Sequence, residues 1–120
     1  MGKKTLVLGA SLKPGRYSNI VVNKLRNNKH QVVAFGIKPG QINDVIIDTE
    51  LQYYDEIDTV TLYLNPKRQE AYYNYIIELK PKRVIFNPGT ENPELYHLLK
   101  DNDIDFEVAC TLVLLSTNQY

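Results

Sequence analysis

The residues best suited to chemistry lie in one short stretch near the amino terminus. Residues 5–8 are rich in Leu and Val and predict a strand that is buried on both faces. Small residues follow at 9–11, and then two cations, Lys13 and Arg16, and two hydroxyl side chains at 17–18. A strand, a tight turn and a helix N-terminus in succession can place an anion on free backbone N–H groups at the positive end of a helix dipole. The stretch therefore predicts a phosphate-binding loop.

This loop differs from the glycine fingerprint of dinucleotide-binding proteins. Ser11 and Pro14 stand where two glycines of G-x-G-x-x-G are expected. Small residues such as Gly9 and Ala10 are also common in ordinary strand–helix turns, so that alternative stays open at this point.

The end of the second predicted strand also bears on the ligand. Enzymes that prefer NAD place Asp or Glu there to hold the ribose hydroxyls, whereas this chain has Phe35, Gly36 and then Lys38. Together with Lys13 and Arg16, Lys38 could receive a phosphorylated ribose and a pyrophosphate. Coenzyme A carries both groups, and NADP is the alternative. Ordinary solvated cations remain the other interpretation.

Catalytic side chains are scarce. We expect His30 and His97 to be solvated, and Glu91 is the one acid on a loop predicted to face the ligand. No Gly-x-Ser-x-Gly nucleophile motif is present. Cys110 is expected to be a buried structural thiol, or alternatively a thiol that pairs with a ligand thiol.

Composition excludes several classes of protein. The chain has 120 residues, which suits one domain spanning 1–120, and its 14 basic and 14 acidic residues give no net charge. A nucleic-acid partner is therefore not expected. No apolar run reaches the ~20 residues of a membrane span, and no signal peptide is visible. One cysteine and two distant histidines do not make a metal site. We expect a cytoplasmic protein without membrane partners.

The pattern of apolar and turn residues predicts a three-layer α/β fold with a mainly parallel sheet of five or six strands. Asn-Pro pairs predict the starts of two helices, and Pro81 ends the first of these. Predicted strands cover 5–8, 31–35, 45–47, 59–64, 83–86 and 105–108; predicted helices run from about 18 to 27, from 66 to 80 and from 93, and 112–115 is an apolar tail. In such folds ligands lie beyond the carboxyl ends of the strands, where the loops 9–18, 36–40, 65–67 and 87–92 emerge.

The stretch Val-Leu-Gly-Ala-Ser-Leu-Lys-Pro-Gly-Arg-Tyr-Ser at 7–18 resembles the opening loop of the small stand-alone CoA-binding proteins. These are similar to the CoA-binding domain of the succinyl-CoA synthetase alpha chain. The resemblance extends over nearly the whole chain and implies a Rossmann-like fold, with coenzyme A over the first turn. It implies a phosphate-holding loop (Gly9, Ala10, Ser11, Lys13, Pro14, Arg16, Tyr17, Ser18), an adenosine border (Phe35, Gly36, Lys38) and a far side (Asn65, Pro66, Gly89).

Two departures from that family matter for function. The family often has Asn-Pro after the second strand, whereas here Gly36 and Ile37 stand there and a Lys-Pro pair is displaced by two residues. The ligase relatives use a phosphorylated His and an ATP-grasping domain, for which 120 residues leave no room. The resemblance thus implies a binding module and not a complete ligase.

We therefore predict a protein that binds coenzyme A or an acyl-CoA without catalysis of its own. One alternative is an enzyme that depends on NADP or another nucleotide, with Tyr63 or Glu91 as proton donor. Another is a ligand-free interaction or regulatory domain in which Tyr72, Tyr73 and Tyr75 form a homo-oligomer face, since aromatic residues are enriched at interfaces. Packing of two of these three tyrosines on the sheet is the simpler interpretation.

Overall fold

A computed structural model describes residues 2–120 of the chain. One seven-stranded sheet has the order β3-β4-β2-β1-β5-β6-β7, and every neighbouring pair is parallel except β3 with β4. The strands are β1 (Thr5–Leu8), β2 (Val32–Phe35), β3 (Gly40–Ile42), β4 (Val45–Asp48), β5 (Thr59–Leu62), β6 (Arg83–Phe86) and β7 (Asp105–Val108). The helices are α1 (Tyr17–Asn27), α2 (Pro66–Gln69), α3 (Tyr73–Leu79), α4 (Pro93–Asp101) and α5 (Thr111–Ser116).

The sheet separates two hydrophobic cores, which makes three layers. Val21 and Leu25 of α1 and Leu115 of α5 pack on one face, and Ile76 of α3 and Leu95 of α4 pack on the other. All four residues of β1 and of β5 are buried, as expected for parallel strands covered on both sides. The predicted three-layer α/β, Rossmann-like fold is confirmed.

The register of the central strands brings several loops to one level. Leu8 at the end of β1 pairs with Phe35 of β2 and with Leu62 of β5, and Leu62 pairs with Phe86 of β6. Chain order runs in opposite directions from β1, since β2 lies on one side of it and β5 on the other. The topological switch point is therefore at β1, where this class of sheet opens a crevice.

The prediction of five or six strands is wrong because the sheet has seven. Residues 40–42 form β3, although the predicted loop ended at residue 40 and residues 41–42 had no predicted structure. This strand pairs antiparallel with β4 around a turn in which Asn43 has a φ of 56°. A three-residue strand with one buried apolar side chain, Ile42, gives no alternating pattern to detect. Arg26 of α1 holds this hairpin through paired bonds of 2.8 and 2.7 Å to Asp44.

The predicted helix over 66–80 is interrupted. A 3-10 turn over Glu70–Tyr72 separates α2 from α3, and Tyr72 leaves helical geometry with a φ of −114°. The ring of Tyr72 meets that of Phe35 edge to face at 5.5 Å. The predicted apolar tail at 112–115 is the short helix α5, whose Thr111 amide donates to Asn87 Oδ1 at 2.9 Å.

Candidate functional site

A cleft of about 780 Å³ opens at the carboxyl edge of the sheet, over the switch point. Its size lies within the range usual for ligand pockets. Loops that follow β1, β2, β5 and β6 form its walls, through Gly9, Ala10, Ser11, Leu12, Lys13, Pro14, Arg16, Tyr17, Ser18, Phe35, Gly36, Ile37, Lys38, Tyr63, Leu64, Arg68, Tyr72 and Pro88.

The turn after β1 is fixed by backbone contacts. Gly9 has a φ of 103°, and a Cβ there would lie 3.1 Å from the carbonyl carbon of Tyr63, so glycine suits both the conformation and the space. The amides of Gly9 and Ala10 both donate to the Phe35 carbonyl at 2.9 Å. These two amides are therefore not the free donors that the sequence predicted for this turn, although both residues line the cleft.

Free donors lie instead at the start of α1. Arg16 is the N-cap residue, its side chain makes no capping bond, and the first turn contains no acidic residue. Within residues 2–120, no acceptor bonds the amides of Tyr17 and Ser18. This helix end is thus open to the cleft and carries the positive end of the helix dipole.

The cleft is positively charged although the chain as a whole is neutral. Four cations line it, Lys13, Arg16, Lys38 and Arg68, and no carboxylate does so among the described residues. The ion pairs found within residues 2–120, Arg26–Asp44 and Arg83–Glu107, involve none of the four. Their charges are therefore available to an anionic ligand.

The end of β2 lies close against the first loop. A Cβ on Gly36 would overlap the carbonyl oxygen of Ala10. Asp48, the nearest acid along β4, pairs with Phe35 in the sheet register, but its carboxylate accepts a hydrogen bond from Tyr54 and does not line the cleft. Within residues 2–120, no carboxylate therefore lines the cleft beside the end of β2.

The far wall comes from the loops after β5 and β6. Tyr63, Leu64, Arg68, Tyr72 and Pro88 line it. Burial raises the pKa of Tyr63, so its hydroxyl stays protonated.

Asn65, Pro66 and Gly89, expected on this side, belong to the same loops but do not line the cleft. Asn65 caps α2 by accepting from the Arg68 amide at 2.9 Å. Their contact with a ligand stays a prediction.

Other candidate groups lie elsewhere. His30 accepts a hydrogen bond from the Lys3 amide at 2.8 Å, before the start of β2, and burial lowers its pKa. His97 is exposed on α4. Glu91 accepts from the Gly89 amide at 2.9 Å outside the cleft. Cys110 is half-buried at the N-cap of α5 and does not line the cleft.

The tyrosines considered for an oligomer face pack on the core. Tyr75 is buried within it, and Tyr72 and Tyr73 lie partly buried against it. Packing on the core therefore accounts for these three side chains, and a homo-oligomer stays a prediction.

Seven lining residues were not assigned to the CoA site from the sequence, although Tyr63 was considered as a proton donor in the alternative enzyme: Leu12, Ile37, Tyr63, Leu64, Arg68, Tyr72 and Pro88. The cleft position of Arg68 could have been predicted from the sequence, because the Asn-Pro helix start places Arg68 in the first turn beyond the carboxyl end of β5. The cleft position of Tyr72 could not have been predicted, since it depends on the interruption between α2 and α3.

The fold and this cleft define a Rossmann-like α/β protein with a cationic crevice at its switch point. The chain belongs to the CoA binding domain family, whose model matches residues 3–116. The predicted membership of a CoA-binding family is confirmed, and the closer likeness to the succinyl-CoA synthetase alpha chain stays a prediction.

Solved structures share the fold. The crystal structure of an uncharacterized protein is 45% identical, with a TM-score of 0.97, and the match covers 100% of this chain and 99% of that one. A hypothetical protein from Pyrococcus horikoshii OT3 is 27% identical (TM-score 0.80; 91% and 77% covered). A protein from Thermus thermophilus is 21% identical (TM-score 0.87; 99% and 91% covered), which shows the fold alone. No curated protein matches this chain.

Two kinds of feature are absent from residues 2–120. No helix there has the length and apolar character to cross a bilayer. No group of three or more His, Cys, Asp or Glu residues in that range is arranged to hold a metal ion.

Proposed function

We propose that this protein binds coenzyme A or an acyl-CoA in the cleft at the switch point, as a small stand-alone module without catalysis of its own. Membership of the CoA binding domain family supports the ligand class. The observation that carries the proposal is electrostatic: four cations and the open start of α1 face the cleft, and no carboxylate among the described residues lines it.

The nucleotide end of coenzyme A fits the cationic half of the cleft. That end carries a pyrophosphate and a 3′-phosphate. Lys13 and Arg16 flank the free amides of Tyr17 and Ser18 and are suited to the pyrophosphate. Lys38, just beyond β2, is suited to the 3′-phosphate, with the adenosine beside Phe35 and Gly36.

The pantetheine arm fits the other half. It is long and uncharged, and Tyr63, Leu64 and Pro88 offer it a largely apolar wall. Three of the four cations line the half given to the phosphates and one, Arg68, lies on the far wall. The phosphates therefore gain most in the first half, where the cations are concentrated.

The groups considered for catalysis support a binding role. Glu91 is engaged by the Gly89 amide outside the cleft, and Tyr63 is a weak acid because burial raises its pKa. An NADP-dependent enzyme, the alternative, would need a proton donor beside the nicotinamide, and Tyr63 is the candidate in the cleft.

Isothermal titration calorimetry with CoA, dephospho-CoA and NADPH tests the proposal. We expect CoA to bind most tightly and dephospho-CoA about tenfold more weakly, because a charge-assisted bond to the 3′-phosphate is lost. Failure to bind CoA would overturn the proposal, and tighter binding of NADPH would favour the alternative. Equal affinities for CoA and dephospho-CoA would remove the role given to Lys38.

Two further parts of the proposal have their own tests. Fractionation of cells that express the protein tests the cytoplasmic location. Gel filtration with and without CoA tests whether the protein forms a homo-oligomer.

A further inference from the structure

Gln69, the last residue of α2, is a polar side chain that is 0% exposed. Its Nε2 donates to the carbonyl of Leu64 and to that of Thr90, each at 2.8 Å. Its Oε1 accepts from Asn92 Nδ2, also at 2.8 Å. Both donor hydrogens are used, as a buried amide requires, so the side chain holds one defined orientation.

The two carbonyls belong to the loops that build the far wall of the cleft. Leu64 lies after β5 and lines the wall itself. Thr90 lies after β6, in a tight turn in which its amide and its hydroxyl both donate to the Asn87 carbonyl, at 3.0 and 2.8 Å. Pro88, at the tip of that turn, lines the cleft. The Gln69 amide therefore connects the two loops that present Leu64 and Pro88.

The cationic half of the cleft does not depend on this connection. Three of the four cations, Lys13, Arg16 and Lys38, lie on the loops after β1 and β2, whereas the fourth, Arg68, lies in α2 on the far wall. Those loops are joined to each other by the bonds from Gly9 and Ala10 to the Phe35 carbonyl. A change at Gln69 should thus disturb one half of the cleft and leave the other unchanged.

We propose that Gln69 is a positioning residue, which sets the distance between Leu64 and Pro88 for the uncharged arm of coenzyme A. The inference rests on the proposed function. Gln69 touches no part of the ligand in this scheme. It acts through the two loops, because a pocket wall that is held in place before the ligand arrives avoids the entropy cost of ordering it on binding.

The test compares two ligands on two variants. CoA reaches both halves of the cleft, whereas adenosine 3′,5′-bisphosphate reaches only the cationic half. Gln69→Met keeps the length of the side chain and removes both donors. Thr59→Val is the matched control: Thr59 is also 0% exposed and hydrogen-bonded, but it begins β5 at the opposite edge of the sheet.

We expect Gln69→Met to weaken CoA binding about tenfold and to change binding of the bisphosphate less than about twofold. Thr59→Val should leave the ratio of the two dissociation constants unchanged, even if it lowers the melting temperature as much. A general loss of stability would move both ligands together, so the ratio separates positioning from folding. An unchanged ratio in Gln69→Met, or an equal change in Thr59→Val, would overturn the proposal.

The wild-type protein provides the remaining controls. If wild type binds the bisphosphate but gains nothing from the pantetheine arm, the positioning role is wrong while nucleotide binding stands; if it binds neither ligand, the proposed function itself fails. Should Gln69→Met not fold, NMR of the wild type decides. CoA must shift the Gln69 side-chain amide signals and the bisphosphate must not, and any other pattern would contradict the proposal.

Discussion

The carbonyl oxygen of Ala10 lies directly against the α-carbon of Gly36, where a Cβ on Gly36 would overlap it. This contact, with the two hydrogen bonds from Gly9 and Ala10 to the Phe35 carbonyl, joins the loop after β1 to the loop after β2. Both loops line the cleft. At Gly36 the wall of the proposed CoA site is therefore packed backbone that leaves no room for a side chain.

Gly36→Ala is predicted to damage both stability and binding. The added methyl group must push the two loops apart, and overpacking of this kind costs about 1–3 kcal/mol. We expect a lower urea midpoint and weaker CoA binding. Gly15→Ala is the control, because nothing lies within 4 Å of a Cβ there. It should change stability by less than about 1 kcal/mol. Equal effects of the two substitutions would contradict the close contact.

Lys38→Ala is predicted to act on one phosphate. Lys38 is exposed, so its removal should leave stability unchanged. We expect affinity for CoA to fall about tenfold and affinity for dephospho-CoA to stay within about twofold, as measured by calorimetry at low salt.

Lys24→Ala controls for net charge in that experiment. Lys24 is exposed in the last turn of α1 and does not line the cleft. Its removal should affect neither ligand. If Lys24→Ala weakened CoA binding as much as Lys38→Ala, the attraction would come from overall charge and not from a site.

The parts of this structure that were predictable are those with a strong local signal. The apolar run at 5–8, the small residues behind it and the cations of the next turn identify most of one wall of the cleft. Asn-Pro pairs identify the starts of α2 and α4 because cap chemistry is local.

The parts that were not predictable depend on tertiary contacts. Gly9 and Ala10 have the sequence of a phosphate turn, yet the carbonyl of Phe35, more than twenty residues away, takes their amides. Tyr72 enters the cleft because its helix breaks beside Phe35. The connection made by Gln69 requires the positions of two loops that are distant in sequence. No period or propensity of a single segment encodes such contacts.

Stability is predicted to fall as the pH is lowered below about 6.5, the ordinary pKa of histidine. Burial, reinforced by the positive charges of Lys3 and Arg83 and opposed by Asp58, lowers the pKa of His30 in the folded protein. The unfolded chain therefore binds a proton at a pH where the folded protein does not, and proton uptake favours unfolding. The bond from the Lys3 amide to His30 Nδ1 also requires the neutral ring.

Urea denaturation at pH 7.5, 6.5 and 5.5 measures this effect. His30→Asn should flatten the pH dependence in that window, because the titrating group is gone. His97→Gln is the control, since His97 is exposed on α4. A wild-type slope that persists in His30→Asn, or disappears in His97→Gln, would show that the group is assigned wrongly.

Tyr17→Glu is predicted to change stability and binding in opposite directions. Tyr17 is the first residue of α1, is 65% exposed and lines the cleft. A carboxylate in the first turn, where α1 has none, interacts favourably with the helix dipole by about 0.3–1 kcal/mol. The same charge repels the phosphates of CoA and competes for the free amides, so affinity should fall more than about tenfold. Tyr17→Gln removes the ring without adding charge and isolates the electrostatic part. Calorimetry and urea denaturation on both variants give the comparison, and CoA binding that is equally strong in the two would mean that the start of α1 does not receive the phosphates.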